Sequence, residues 1–320
     1  MRDHTPVHRA PSVRRRRIEF TFPLLAGLQH PAFEAVGAAD GPHVALLGGV
    51  HGCEYSSIAA VTRFMTALDP AELRGRITAV PVVNLSSYRS RSPFLTPEDG
   101  KNLNRCFPGD PNGSYSDVLA HAIFEELISP ADVVVDLHGG DLVEALEPFA
   151  IYAESAVEER SRAVASAFGL PYVVREPRSE LGLGGMTCIA AAEAGIPAII
   201  AEAGGCGLLD EAAVGLLTRG VGNVLQHLGM LPGAPEPPAG QRTVGSFVWL
   251  RCRDEGWWDT AVSVGDEVPA GGRLGSVRDL WGDVLEEIHA PSDGVVLFLT
   301  SSPAVAAGGL LLGFGAELGG

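Results

Sequence analysis

Three apolar runs in this 320-residue sequence end in ionisable side chains beside glycine pairs. HVALLGGV is followed by His51 and Glu54, VVVDLHGG contains His138, and AIIAEAGG contains Glu202. Two imidazoles and one carboxylate are a common ligand set of catalytic zinc, and three protein ligands leave a fourth position open for water. The sequence therefore predicts one Zn²⁺ per chain, held by His51, Glu54 and His138.

Two further carboxylates belong to the same segments. Glu202 is not needed as a ligand, and a free carboxylate beside a metal can act as the general base that takes a proton from water. Asp136 lies two residues before His138, on the same side of a strand, where it can orient the imidazole. Each residue alone has a structural alternative, because strand-end histidines and surface glutamates are common. Their order and glycine flanks favour a site.

A long polar loop, FLTPEDGKNLNRCFPG, contains an adjacent amide and guanidinium, Asn104 and Arg105. Arginine binds carboxylates through a bidentate fork, so this pair is predicted to bind a substrate carboxylate. The alternative is a turn-rich connection held by Asn and Asp side chains. Polar loops of this length are often functional.

The elements that must position these residues follow a strand–helix alternation. It predicts a largely parallel sheet with helices on both faces. In such sheets, ligands bind at the carboxyl ends of the strands, so the three segments are expected to meet in one crevice. Among the helices, SDVLAHAIFEELIS is predicted to have Ser116 or Asp117 as its N-cap, and AESAVEERSRAVASAFG is predicted to be closed by Gly169.

Composition divides the chain into four parts. Residues 1–17, with the basic run RRRR, are predicted to be a disordered tail, and residues 18–231 the catalytic domain. Residues 232–240 are Pro-rich and are predicted to be a linker. Residues 241–320 contain short β runs split by Gly, Asp and Pro, which predicts a small all-β domain.

The overall charge and cysteine content limit the class of protein. A net charge of −16 argues against nucleic acid as the main partner. The five cysteines lack paired spacing, which favours a reducing compartment, and no apolar run approaches the ~20 residues of a membrane span. We expect a cytoplasmic protein with a small-molecule substrate, and homo-oligomerisation stays open. A twin-arginine export signal is the alternative for the basic run, but Glu19 and Pro23 interrupt the apolar stretch that follows.

The order HxxE, NLNRCFPG, DLHGG and EAGG resembles the succinylglutamate desuccinylase/aspartoacylase family, part of the zinc carboxypeptidase-like superfamily, over about residues 42–231. The resemblance implies an α/β fold with a zinc-carboxypeptidase-like mixed sheet and helices on both faces. It implies hydrolysis of the linear amide of an N-acyl amino acid or related small N-acyl amine. The positions matched to zinc ligands are His51, Glu54 and His138, and Glu202 matches the general base.

The resemblance also concerns the substrate. Asn104 and Arg105 match the pair that binds the substrate carboxylate. An oxyanion-stabilising arginine is implied, for which Arg91 is the candidate and Arg89 the alternative. Related chains often read HGDE where Cys53 stands here. The stretch TCIAAAEAGIPAII lacks the arginine that holds acidic acyl groups in some relatives, so a neutral acyl group such as acetyl is expected.

The C-terminal residues resemble the barrel-like sandwich of biotinyl and lipoyl domains. Such carriers need a lysine at a hairpin tip, and Lys101, outside this region, is the chain's one lysine. Covalent carrier function is therefore excluded. The four tryptophans are predicted to belong to the domain core and interface rather than to a ligand surface.

Three other functions remain as alternatives. A zinc carboxypeptidase acting on short peptides would use the same site, and a non-catalytic metal- or ligand-binding protein would not need a free Glu202. Nucleotide binding by GLGG at residues 182–185 lacks the full dinucleotide fingerprint.

Overall fold

The computed structural model describes residues 10–177 and 185–319. The strands are β1 (Ser12–Ile18), β2 (His30–Val36), β3 (Ala39–Gly48), β4 (Arg74–Val80), β5 (Val133–His138), β6 (Glu144–Leu146), β7 (Phe149–Ala153), β8 (Tyr172–Glu176), β9 (Ala198–Glu202), β10 (Arg242–Arg251), β11 (Gly256–Thr260), β12 (Glu267–Val268), β13 (Arg273–Arg278), β14 (Val284–His289), β15 (Gly294–Thr300), β16 (Ala304–Val305) and β17 (Leu310–Gly319). The α-helices are α1 (Tyr55–Ala67), α2 (Leu85–Ser90), α3 (Tyr115–Ile123), α4 (Glu158–Phe168), α5 (Thr187–Glu193) and α6 (Glu211–His227). Short 3-10 helices span Pro23–Leu25 and Leu103–Arg105, and a π-helical turn spans Phe124–Ile128.

One large mixed sheet contains thirteen of the strands in the described residues. Its order is β1-β2-β4-β3-β5-β9-β7-β8-β10-β17-β15-β12, with β6 paired to β15. The central strands β3, β5 and β9 run parallel, whereas β7 pairs antiparallel with β9. The mixed α/β fold predicted from the sequence is confirmed.

Helices cover both faces of this sheet because its central strands are apolar on both sides. Val44 and Leu46 face one hydrophobic core, which also contains residues of α1, α4 and α6. Ala45 and Leu47 alternate with them and face a second core, which contains residues of α3 and α5. Within the described ranges, no helix has the length and apolar content needed to cross a bilayer.

The predicted end of α4 is confirmed, and the predicted N-cap of α3 is wrong by two or three residues. Gly169 ends α4 with a φ of 89°, a conformation that glycine adopts without steric cost. Helix α3 is capped by Ser114 rather than by Ser116 or Asp117. The Asp117 carboxylate instead accepts a hydrogen bond from the Ser114 N–H at 2.9 Å, which makes Asp117 the reciprocal member of a capping box.

The prediction of a disordered tail over residues 1–17 is wrong for residues 12–17. They belong to β1, which pairs antiparallel with β2 at the edge of the sheet. Arg16 forms an ion pair with Glu34 at 3.1 Å, and Arg17 donates a hydrogen bond to Gln29 at 2.8 Å. The arginines lack an apolar alternation, but an exposed edge strand does not require one, and charged edge strands resist unwanted pairing.

The C-terminal strands divide between two sheets. β10 pairs parallel with β8, and β17 and β15 follow it, so these strands extend the large sheet. A separate four-stranded sheet has the order β14-β13-β11-β16. Ahead of β10, Gln241 donates hydrogen bonds to the carbonyl groups of Ser166 and Leu170, which hold the entry of the chain against the end of α4.

Candidate active site

The segments after β3, β5 and β9 meet at one edge of the sheet, as predicted for parallel strands. His138 and Glu202 are register partners on neighbouring strands. After β3, Gly49 turns the chain with a φ of 60°, and a Cβ at Gly52 would lie 2.1 Å from the Tyr88 backbone nitrogen. The HGCE segment therefore passes too close to α2 for any side chain at Gly52.

We call His51, Glu54 and His138 the metal cluster. The Nδ1 atom of His51 lies 2.7 Å from Glu54 Oε1, and the Nδ1 atom of His138 lies 3.1 Å from Glu54 Oε2. All three residues are buried, and one ligand atom from each lies within 4.8 Å of the others. The structure thus brings together the three residues predicted as metal ligands.

The donor set fits a zinc ion. Two imidazole nitrogens and a carboxylate oxygen converge on one point, and this combination suits Zn²⁺ better than the oxygen-only sites of Mg²⁺ or Ca²⁺. Burial raises the pKa of the Glu54 carboxyl, but the charges of His138 and His51 outweigh burial and lower that pKa to about 2. Glu54 is therefore an ionised carboxylate that a cation can bind.

Both imidazoles have a second partner that fixes the ring. Asp136 Oδ2 lies 2.9 Å from His138 Nε2, as predicted for an orienting carboxylate, and it also accepts a hydrogen bond from the Thr187 hydroxyl at 2.5 Å. Asn102 Oδ1 lies 2.9 Å from His51 Nε2. The sequence analysis missed Asn102 and Thr187. The NLNR motif contains Asn102, but nothing in its spacing indicates contact with His51.

Glu202 lies at the end of β9 and lines a pocket of about 1010 Å³ together with His51 and Glu54. Within the described residues, its carboxylate has no hydrogen bond or ion pair. Burial raises the pKa of Glu202, and the charge of His138 opposes that shift. A carboxylate with free oxygens and a raised pKa is suited to accepting a proton.

Cys53 does not belong to the metal cluster. Its side chain is fully buried, and burial raises the pKa of the thiol to about 11. It therefore stays a neutral thiol at ordinary pH and fills space under the turn.

Asn104 and Arg105 both line the pocket. Asn104 Oδ1 accepts a hydrogen bond from the Thr187 N–H at 3.0 Å, while its Nδ2 has no partner among residues 10–177 and 185–319. Arg105 donates one hydrogen bond to the Asn104 carbonyl at 2.7 Å. Solvent reaches the guanidinium through the pocket, although the surrounding protein desolvates it enough to lower its pKa.

The candidates for the oxyanion arginine lie elsewhere. Arg91 and Arg89 are exposed, and neither is among the residues that line the pocket. Arg91 ends α2 in the left-handed conformation, with a φ of 54°, which directs the chain away after the helix. Neither arginine forms a hydrogen bond or an ion pair with the metal cluster within the described residues.

The C-terminal strands contribute a second side of the pocket, which the sequence analysis missed. We call Phe149, Phe247, Trp249 and Phe298 the aromatic wall, because all four line the pocket and their rings pack in a row. Neighbouring ring centroids are 5.8 Å, 4.7 Å and 5.4 Å apart along that order. These distances are typical of favourable aromatic pairs.

The tryptophans of the C-terminal strands differ in their environments. Trp258 lies in the core, as predicted, whereas Trp249 lines the pocket and Trp281 is 91% exposed. The predicted core and interface role is wrong for Trp249, which faces the pocket. The glycine-rich stretch considered for nucleotide binding, residues 182–185, lies outside the described residues except for Gly185.

The sequence and fold match characterised proteins along most of the chain. The model of the succinylglutamate desuccinylase/aspartoacylase catalytic domain matches residues 40–228. An N-alpha-acetyl-L-2,4-diaminobutyric acid deacetylase from Halomonas elongata is 31% identical over 270 residues, which cover 82% of this chain and 78% of that protein.

Solved structures are also similar to this chain along nearly its whole length. A succinylglutamate desuccinylase/aspartoacylase from Rhodobacter sphaeroides is 28% identical with a TM-score of 0.83, and the match covers 95% of this chain and 94% of that one. The product-bound ectoine utilization protein EutE (DoeB) from Ruegeria pomeroyi is 25% identical with a TM-score of 0.84, with 98% of each chain covered. Because the family domain matches more than half of this chain, the chain belongs to the succinylglutamate desuccinylase/aspartoacylase family.

Proposed function

We propose that this protein is a zinc-dependent hydrolase that cleaves the amide bond of a small N-acyl amino acid. The observation that carries the proposal is the metal cluster beside the Glu202 carboxylate, which has no hydrogen bond or ion pair within residues 10–177 and 185–319, in one pocket of about 1010 Å³. A site that only bound metal would have no use for a free carboxylate next to its ligands. When bound, a zinc ion supplies the Lewis acidity that polarises the acyl carbonyl and eases the loss of a proton from water.

Glu202 moves the proton during the reaction. Its carboxylate takes a proton from a water molecule, and the water oxygen forms the new bond to the acyl carbon. When the C–N bond breaks, the protonated Glu202 returns that proton to the leaving nitrogen. The second proton of the water also passes to the amine, so the products are a carboxylate and an ammonium, and Glu202 ends in its starting form.

Asn104 and Arg105 hold the amino-acid part of the substrate. Both residues line the pocket, and Asn104 Nδ2, which has no partner in the part of the chain that the structure describes, offers a further donor. Together they can bind one carboxylate, which fixes the scissile amide relative to Glu202. Because Arg91 and Arg89 lie outside the pocket, the proposal assigns them no step.

We propose a small neutral acyl group, such as acetyl. Ile200 lines the pocket, and the segment that leads to it from Thr187 contains no arginine that could bind an acidic acyl group. The name of the Halomonas elongata relative, which specifies an N-acetyl substrate, supports this choice.

The test measures amine release from a panel of N-acetyl, N-succinyl and dipeptide substrates. The protein is assayed with zinc, after removal of zinc by a chelator, and after zinc is restored. We expect chelator-sensitive release from N-acetyl amino acids, restored by zinc, and one zinc per chain by atomic absorption. Release from dipeptides only would favour a carboxypeptidase instead. No release from a folded, zinc-loaded sample would overturn the proposed function.

A further inference from the structure

One residue that lines the pocket has a backbone conformation that its side chain disfavours. Phe94 lies beside the metal cluster and has a φ of 54°. Residues other than glycine adopt this left-handed conformation at a cost in free energy, so the surrounding contacts must hold it in place. Such conformations are frequent at ligand sites, where they direct a side chain that an ordinary loop would place elsewhere.

The carboxylate of Asp141 holds Phe94 in this conformation. Asp141 is fully buried and lies in the segment that follows β5. Its Oδ2 atom accepts a hydrogen bond from the Phe94 N–H at 2.8 Å, and its Oδ1 atom accepts one from the Leu142 N–H at 2.6 Å. Burial strengthens both bonds, because little water competes for the carboxylate. Asp141 therefore ties the loop that contains Phe94 to the end of a strand that contributes to the metal cluster.

This loop contacts His51 from two directions. The Phe94 ring packs against the His51 imidazole in a T-shaped arrangement, with ring centroids 6.4 Å apart and an angle of 77° between the planes. Asn102, which is bridged to Leu95 within the loop, lies against His51 Nε2 at 2.9 Å. Phe94 therefore forms an apolar wall directly beside a residue of the metal cluster.

The chemistry of the substrate indicates which part of it faces this wall. In the proposed function, the substrate carboxylate lies at Asn104 and Arg105, and the scissile carbonyl lies at the metal cluster. The acyl chain leaves the carbonyl carbon opposite the amide nitrogen, so it points away from that pair. Asn104 is fixed to Thr187 on α5, whereas Phe94 is fixed to Asp141 after β5. This separation favours the Phe94 side of the metal cluster for the acyl chain.

We propose that Phe94 closes the acyl end of the pocket and limits the length of the acyl chain, and that Asp141 is the positioning residue that holds Phe94 there. This inference rests on the proposed function, since it places the carbonyl at the metal cluster. The pocket of about 1010 Å³ is as large as pockets that take drug-sized ligands, so a limit on the chain requires a wall close to the metal cluster. The alternative is an acyl chain that extends along the aromatic wall.

The experiment measures kcat/KM for the N-acetyl, N-butyryl and N-hexanoyl forms of one amino acid, the one that gives the fastest amine release in the panel above. We expect the wild-type protein to prefer the shortest acyl group. In Phe94→Ala, the ratio of hexanoyl to acetyl hydrolysis should rise by about 10- to 100-fold, because loss of the ring opens space for the added methylene groups. Phe94→Leu should give an intermediate ratio. An unchanged ratio in Phe94→Ala would overturn the inference.

Asp141→Asn tests the positioning role. The amide keeps one acceptor oxygen, so one of the two backbone N–H groups loses its partner. We expect the ratio to rise as in Phe94→Ala but by less, and the double variant to rise no further than Phe94→Ala alone, because both changes act on the same wall. A carboxylate with a merely structural role would lower kcat/KM equally for all three acyl groups, and that outcome would remove Asp141 from the inference.

Trp249→Ala is the matched control, because it removes another aromatic side chain from the same pocket. Its ratio of hexanoyl to acetyl hydrolysis should equal that of the wild-type protein. A raised ratio in Trp249→Ala, with none in Phe94→Ala, would overturn the inference and assign the acyl chain to the aromatic wall.

A binding measurement separates this inference from the proposed function. Calorimetric titration of the zinc-loaded protein with acetate, butyrate and hexanoate examines the acyl end of the pocket without turnover. If no substrate is hydrolysed, the proposed function fails, and the titration still decides the role of Phe94. We expect hexanoate to bind about tenfold more tightly to Phe94→Ala than to the wild-type protein, with acetate unchanged. Equal hexanoate affinity in the two proteins would contradict the inference.

Discussion

The metal cluster and the aromatic wall belong to the same pocket, but they come from differently paired parts of the one large sheet. The metal cluster follows parallel strands whose ends are brought together by topology alone. The aromatic wall lies mainly on antiparallel strands, where Trp249 on β10 packs against Phe298 on β15 across intervening β17. The ends of the parallel strands therefore supply the reactive groups, whereas the faces of the antiparallel strands supply the shape of the pocket.

The largest effect on kcat is expected from Glu202→Gln. Loss of the proton acceptor should lower kcat by about 10²- to 10⁴-fold, the usual contribution of general acid–base catalysis. KM and zinc content should change little, because Glu202 is not a ligand. Steady-state kinetics and atomic absorption measure both. Glu193→Gln, an exposed substitution of the same type on α5, is the control. A variant that kept most of its kcat would remove Glu202 from the mechanism.

The second-largest effect is expected at Asp136, whose carboxylate orients the metal-cluster residue His138. Asp136→Asn should lower zinc affinity by about 10- to 100-fold, because it weakens the hydrogen bond that orients His138. Competition with a coloured chelator measures the affinity. Asp254→Asn changes an exposed aspartate and should have no effect. Unchanged affinity in Asp136→Asn would mean that packing alone fixes the imidazole.

A smaller effect is expected on the aromatic wall. Trp249→Ala should raise KM by about tenfold with kcat nearly unchanged, because it removes apolar contact with the substrate, and about 1.4 kcal/mol of lost burial is tenfold in affinity. Trp257→Ala is the control, because Trp257 lies on the separate four-stranded sheet and is half exposed. A fall in kcat with KM unchanged would contradict the assignment of Trp249 to substrate binding alone.

The smallest effect belongs to the edge strand, which touches neither side of the pocket. Arg16→Ala removes an ion pair whose two side chains are 44% and 43% exposed. It should lower the free energy of unfolding by less than about 1 kcal/mol, as exposed pairs do, with kinetics unchanged. Urea denaturation monitored by tryptophan fluorescence measures this. Arg14→Ala, without an ion pair in the described structure, is the comparison variant.

The parts of the site that depend on local spacing were predictable from the sequence. HxxE and DLHGG each place their side chains at the end of one strand, and Asp136 and His138 share a strand face by simple alternation. Strand order then brings the segments together without further information. The mixed α/β fold could be predicted for the same reason, because its elements alternate regularly along the chain.

The parts that depend on non-local pairing were not predictable. Asn102 contacts His51 across 51 positions of sequence, and Thr187 contacts Asp136 across 51. Residues 241–320 were predicted as a small all-β domain, but the pairing of β8 with β10 joins β10, β17, β15 and β12 to the large sheet, which brings Trp249 to the pocket. The short apolar runs of β10 and β17 indicate strands but not the sheet they join. Likewise, β1 gives no periodic signal because both of its faces are polar over the arginine run.

The parallel pairing of β8 with β10 has a consequence for protein engineering. A chain shortened at residue 231 would keep every member of the metal cluster but would leave unpaired the main-chain edge of β8 that now pairs with β10 at Tyr172, Val173 and Val174. Such an uncovered edge invites edge-to-edge self-association. The C-terminal strands therefore also protect the protein against aggregation. Because they pair with the large sheet, they cannot be exchanged between relatives as a separate unit.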